Sequence, residues 1–286
     1  MILVTGATGH LGSAVIRHLL KQTKPENIVA FARSEEKAKS LSEKGVQIRI
    51  GHFDDVDSIE KAMVGVDKVL LVSGLDHNRL EQHKHVIDAA VKAGVSQLVY
   101  TSVAIKDIEN AASKFLMGSH FETEDYLRLS GLNYTILRNT LYTDGIRMFA
   151  GENVFDQGIY LPSGDGKVSY ALRNEMAEAA ANVLTQSGHE NKVYNITGHE
   201  LSSYLDVAGE LSKLSGKQVT YTDAEPASFP DQLKSYGVPD IAVSIVTGIS
   251  EDIKNGQYAV VSSDLEKLIG RKPANLSAGL KEIYNL

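Results

Sequence analysis

The chain has 286 residues, 43% of them hydrophobic and 23% charged, with a formal net charge of −7 and no cysteine. Its length suits one large α/β domain or a domain plus a lobe, and its acidic balance argues against general binding to a nucleic-acid backbone. The missing thiols exclude disulfides, thiolate zinc sites and a cysteine nucleophile.

In chain order, Ile2–Thr5 reads as a first strand and runs into "GATGHLG", where Gly6, Gly9 and Gly12 recur at intervals of three. A helix begins near His10, with Leu11, Val15 and Leu19 on one face. Strands follow at Ile28–Ala32, Gln47–Ile50, Lys68–Val72, Gln97–Thr101 and Tyr134–Leu137. The segments between them carry helical periodicity from near Glu35, Asp57, Asn78 and Gly118, and the helix containing "HKHVIDAAVKAG" stops at Gly94. Such alternation requires right-handed crossovers and a parallel sheet covered on both faces. Beyond about residue 145 the pattern loosens. "YLPSGDGKVSY" reads as a turn-rich loop, a helix spans about Asn174 to Gln186, "KVYNIT" reads as a strand, and the rest as a smaller α-rich lobe containing "KQVTYTD".

A strand, three spaced glycines and a helix start form an arrangement suited to a dinucleotide. Glycine permits the tight turn and lets the backbone approach a pyrophosphate, while the helix start offers free N–H groups and a positive dipole end. The spacing is Gly-x-x-Gly-x-x-Gly, not the commoner Gly-x-Gly-x-x-Gly. Gly6, Thr8, Gly9, His10, Leu11 and Gly12 are the candidates to surround the phosphates. About 20 residues past the last glycine, where a carboxylate would hold a ribose, stands Arg33, with Lys37 one turn on. A guanidinium pairs bidentately with a ribose 2′-phosphate, so NADPH is the expected cofactor. Solvated surface charge is the alternative reading of both side chains. Phe53 and Asp54, after the third strand, could flank and accept from adenine.

Ligands of open α/β sheets lie at the carboxyl ends of the strands. That rule selects Ser73, Gly74, Thr101, Ser102, Asn139 and Tyr142, although strand-end hydroxyls also serve as backbone partners. His83 and His85, two apart on a helix, face different ways and do not make a metal pair; no metal is expected.

The succession "VTGATGHLG", "FARSEEKAKSL", "VKAGVSQLVYTS", "HFETEDYL", "LNYTILRNTLYTD" and "SGHENKVYNITG" resembles the NmrA-like, atypical branch of the short-chain dehydrogenase/reductases over nearly the full length. The resemblance implies a Rossmann-type doubly wound parallel sheet with a smaller α-rich carboxyl-terminal substrate lobe. Residues 1–150, extended by about 168–198, would form the NAD(P)-binding core. The remainder of 151–286, mainly from about 199, would be the lobe. It also implies NADPH binding and hydride transfer to quinones or related conjugated electrophiles. The superfamily's Tyr-x-x-x-Lys pair is absent: none of the 12 tyrosines has lysine four residues later. The expected helix carries His120 and Glu124 instead. His120, Asn139 and Tyr142 are therefore the candidates to orient an acceptor, and Glu124 reads as a structural partner. A non-catalytic NADP(H)-binding redox sensor and a sugar-nucleotide epimerase are the competing readings, the second weakened by the missing pair. The expected partner is a small-molecule electron acceptor, with no nucleic acid or membrane. Oligomeric state stays open, a homodimer included. No apolar run reaches the roughly 20 residues of a membrane span and no targeting pattern precedes the glycines, so a cytoplasmic location is expected.

Overall fold

The computed structural model describes every residue except Glu152. Seven strands form one sheet: β1 (Ile2–Val4), β2 (Ile28–Ala32), β3 (Gln47–Ile50), β4 (Lys68–Leu71), β5 (Gln97–Val103), β6 (Tyr134–Asn139) and, later in the chain, β8 (Lys192–Ile196). Their order is β3-β2-β1-β4-β5-β6-β8, and every neighbouring pair is parallel. β2 and β5 are buried at every position, as strands covered on both faces must be. Strand order reverses between β1 and β4, which opens a crevice at their carboxyl ends.

One face of the sheet is covered by α1 (His10–Leu19), α2 (Glu35–Ser42) and, from the second half of the chain, α8 (Arg173–Thr185) and α12 (Asp264–Ile269). Val15, Ile16 and Leu19 of α1 meet Met176, Ala180 and Leu184 of α8 there. The other face holds α3 (Val56–Ala62), α4 (Arg79–Lys92) and α5 (Lys114–Leu129) over Leu71, Leu98 and Tyr100. A third cluster starts at Val103 and gathers residues of α6 (Ile146–Ala150), α7 (Val154–Gln157), α9 (Tyr204–Ser215), α10 (Phe229–Ser235), α11 (Asp240–Lys254) and α13 (Leu276–Tyr284).

The structure differs from the sequence expectations in four places. β5 and β6 each run two residues further, because Ser102↔Arg138 and Val103↔Asn139 remain in register and a backbone ladder needs no apolar side chains. α5 begins one turn before Gly118. The Asp252 carboxylate, 139 residues away, accepts from the Ser113 amide (3.0 Å) and the Ala112 amide (2.7 Å), satisfying a helix start that no local side chain caps. The expected loop "YLPSGDGKVSY" contains part of β7 (Ile159–Leu161), which pairs in parallel with β9 (Tyr221–Asp223). Val168 forms an isolated bridge with Ser202 in the same stretch. Among the described residues no helix is long and apolar enough to cross a membrane.

Candidate functional site

The glycine turn joins β1 to α1 at the crevice. Gly6 has φ +56, in the left-handed region, and the Gly9 amide donates to the Gly6 carbonyl at 2.9 Å to close the turn. The helix then packs onto its own loop: a methyl at Gly12 would stand 2.3 Å from the Gly6 oxygen and 2.8 Å from its carbonyl carbon. Gly9 is different. It is exposed, and its hypothetical methyl meets only the Gly6 oxygen, at 3.2 Å, so space outside the chain is what a side chain there would occupy. No side chain caps α1 and its first turn contains no acid. Gly6, Thr8 and His10 are also exposed, whereas Leu11 and Gly12 are buried. The turn therefore offers backbone amides and a positive dipole end to an anion from outside, a fit for a pyrophosphate.

At the far end of the crevice, Arg33 follows β2 and Lys37 lies in the first turn of α2, capped by Ser34. Both are exposed, and neither makes an ion pair among the described residues. Two cations without partners fit a phosphate better than an uncharged ribose hydroxyl. Phe53, half-buried, stacks on Phe31 with centroids 6.2 Å apart. Asp54 is exposed, yet its carboxylate accepts from Gln82 Nε2 (3.1 Å) and Asn78 Nδ2 (2.9 Å), and the Gln82 bond foremost holds it below the ordinary carboxylate range. Its oxygens thus tie the loop after β3 to the start of α4.

The strand-end residues divide by face. The Ser73 amide donates to Thr101 Oγ1 at 3.0 Å, fastening the end of β4 to β5. Ser102, on the opposite face of β5, donates its hydroxyl to Glu124 Oε1 at 2.6 Å, so the expected ligand contact of that hydroxyl is replaced by a buried partner on α5. Glu124 is fully buried and also accepts from Arg138 (2.9 and 2.6 Å) and Arg128 (2.8 Å), the structural role expected of it.

Asn139 ends β6 and is buried; Tyr142, half-buried, packs on the cluster that contains Ala7 and Leu11. Burial raises the Tyr142 pKa, against a hydrogen bond from Asn139 and the charge of Arg173. The Arg173 guanidinium lies 4.8 Å from the Tyr142 ring centroid and is held by Asp144. Tyr142 is thus a neutral phenol at ordinary pH. A phenol can donate its proton as well as accept, so Tyr142 has the chemistry to hydrogen-bond an acceptor's oxygen.

His120 lies on the other face. It is 6% exposed, with Nδ1 2.8 Å from the Tyr100 hydroxyl and Nε2 3.3 Å from Arg79 Nη1. Both ring nitrogens are engaged within the protein, so the expectation that His120 would orient an acceptor directly is replaced by a buried, bridging position. Burial first, then the charges of Arg79 and His83, keep its pKa well below 6.5, and it supplies no proton as an imidazolium near neutrality. Neighbouring His83 is pushed down to about 3, again chiefly by burial. Sequence reasoning passed over Arg79, which donates to the Gly74 carbonyl at 3.0 Å as well as to His120. An arginine opening a helix reads as a solvated charge, and nothing local announces its burial. Among the described residues no group of His, Asp and Glu is placed to hold a metal ion.

Against known proteins, the NmrA-like family profile matches residues 1–282. Quinone oxidoreductase 2 of Escherichia coli is 36% identical, covering 100% of this chain and 99% of its own. The crystal structure of an Escherichia coli NADPH-dependent quinone oxidoreductase complexed with NADPH superposes with a TM-score of 0.94 at 36% identity, over 100% of both chains. That of Citrobacter triphenylmethane reductase complexed with NADP(H) gives 0.91 at 37% identity, over 99% of this chain and 100% of the other.

Proposed function

The chain belongs to the NmrA-like family, and from that premise we propose that it is an NAD(P)H-dependent oxidoreductase, NADPH preferred, acting on quinones or dye-like conjugated electrophiles. The observation that carries the reading is the open cradle: an uncapped α1 behind a glycine turn, with unpaired Arg33 at the 2′-phosphate end. The full-length likeness to a quinone oxidoreductase solved with NADPH supports the same cofactor and acceptor class.

In this reading the free amides of His10 to Gly12 face the pyrophosphate, Gly9 leaves its approach open, and the Thr8 and His10 side chains lie at its rim. Arg33, with Lys37 beside it, pairs with the 2′-phosphate. Phe53 lies along the adenine, and Asp54 shapes that end by anchoring its loop. Ser73, Gly74 and Thr101 form the nicotinamide edge, with Ser102 contributing backbone alone. NADPH, when bound, supplies a hydride. That hydride would carry one proton and two electrons to the acceptor, and a second proton would complete reduction of a quinone to the hydroquinone. Tyr142, a neutral phenol, donates a hydrogen bond to the acceptor's oxygen, and solvent replaces any proton it gives up. A quinone needs no strong acid because the hydroquinone anion is intrinsically stable. The protein's main contribution is accordingly to place a flat acceptor over the donor. We infer a cytoplasmic protein with a small-molecule partner, supported by a net charge of −7 that disfavours nucleic acid.

Steady-state NADPH oxidation with a panel of quinones and triphenylmethane dyes tests the proposal. With a triphenylmethane dye, whose central carbon receives the hydride, stereospecifically deuterated NADPH should leave its label on the reduced product as C–D without exchange into water. Cofactor binding with no turnover of any acceptor would favour a sensor instead.

A further inference from the structure

Arg79 is an anomaly in two respects. It opens α4, where the positive end of the helix dipole disfavours a cation. It is also 3% exposed, with no carboxylate in ion-pair reach among the described residues, and burial lowers its pKa. A buried, uncompensated charge is strongly unfavourable, so the fold keeps it for something. The guanidinium is satisfied entirely by neutral acceptors. Nε and Nη2 donate to Ser119 Oγ (3.0 and 2.5 Å), Nη2 also to the Leu116 carbonyl, and Nη1 to the Gly74 carbonyl (3.0 Å) and His120 Nε2 (3.3 Å).

A guanidinium only donates. His120 Nε2 must therefore accept, which places the proton of the neutral ring on Nδ1 and directs Nδ1–H at the Tyr100 oxygen, 2.8 Å away. The same side chain reaches the crevice wall. Ser73 is fastened to Thr101 through its amide, and Gly74 to Arg79 through its carbonyl, so the segment after β4 is held at both residues.

We propose that Arg79 is a positioning residue for the acceptor edge of the crevice. It clamps Gly74 to α5 and locks His120 as a neutral Nδ1–H ring bonded to Tyr100. Its unpaired charge favours the anion formed when an acceptor receives hydride. The inference deepens the hydride-transfer reading above and rests on it.

Long-range proton–nitrogen NMR correlations on the full chain test the lock, with the His120 signal assigned by its loss in His120→Asn. The expected result is a protonated Nδ1 and bare Nε2 in the unmodified protein, where the tautomer itself is read. Arg79→Lys, which keeps a cationic donor, should retain this tautomer. Arg79→Met should redistribute it toward Nε2–H and lower kcat about 10- to 100-fold, the scale of a misplacement remote from the chemistry. KM for NADPH should stay within about threefold, and Arg79→Lys should recover part of kcat. An Nε2–H or doubly protonated His120 in the unmodified chain would overturn the proposal, as would unchanged kcat in Arg79→Met. The tautomer is read without acceptor, so the two readings fail separately. Absence of quinone turnover with Nδ1–H present removes the redox assignment, and quinone turnover with Nε2–H removes the lock.

Discussion

Two parts of one crevice handle their polar groups in opposite ways. Around the β1–α1 turn, Gly9, His10, Arg33 and Lys37 stand exposed, α1 has no side-chain cap, and neither Arg33 nor Lys37 makes an ion pair among the described residues. Beneath β4 and β5, Arg79, His120, Tyr100, Thr123 and Glu124 are buried and bonded to one another or to close neighbours. The contrast separates two tasks. A surface built to receive a charged ligand leaves donors open until the ligand arrives, whereas a scaffold that fixes geometry uses its donors internally and tolerates desolvation to do so.

Substitutions at the two ends of the glycine turn give the largest expected effect. Gly9→Val should abolish NADPH binding measured by calorimetry while the circular dichroism spectrum stays native, because its side chain projects where the pyrophosphate would approach. Gly12→Val should instead lose the fold, since its Cβ would meet backbone at 2.3 Å. Native NADPH affinity in Gly9→Val would reduce the turn to a structural feature.

Arg33→Ala comes next. A charge-assisted hydrogen bond is worth about 1.5–3 kcal/mol, so NADPH affinity should fall roughly 10- to 150-fold at about 1.4 kcal/mol per tenfold, while NADH binding barely changes. Equal losses for both cofactors would place Arg33 among ordinary surface charges.

The buried side should show itself in acid. His83 is pushed to about 3 and His120 also lies below its usual 6.5. Below pH 6.5 the unfolded chain binds protons that the folded rings refuse, so stability is intact above 6.5 and declines as pH falls toward 3. The urea midpoint should fall over this window, and less steeply in His83→Gln. An equally steep decline in that variant would assign the acid sensitivity to other groups.

The smallest effect belongs to Tyr142. Tyr142→Phe should lower kcat less than about tenfold, below the 10²–10³ typical of a tightly held oxyanion, and leave NADPH affinity intact. With Tyr142 raised above 10.0 and His120 held below 6.5, neither candidate group titrates between those values. The kcat profile should be flat there, and an inflection near 7 would point to a different proton donor.

Local pattern carried most of the scaffold into view. β2 and β3 fall at the residues that their β-branched runs predict, and α1 starts at His10. A glycine turn and the charge 20 residues beyond it are likewise short-range features, legible because backbone sterics and phosphate chemistry act through neighbours in sequence. The site's inner half was less legible. His120 could be named as a candidate from the family likeness, but its engagement with Arg79, 41 residues earlier, depends on how α4 packs against α5. The same holds for the pairing of β7 with β9 some 60 residues on, and for Asp252 capping a helix start 139 residues away. By itself the sequence determined the alternating α/β order and the glycine turn with Arg33 beyond it, the features on which the proposed phosphate cradle and the role of Arg33 rest. Only the tertiary structure decided which polar side chains face the crevice and which are used up inside it. Periodicity says whether a residue is buried, but hydrogen-bond partners are chosen by elements distant in the chain, and that choice separates an open site from a closed network.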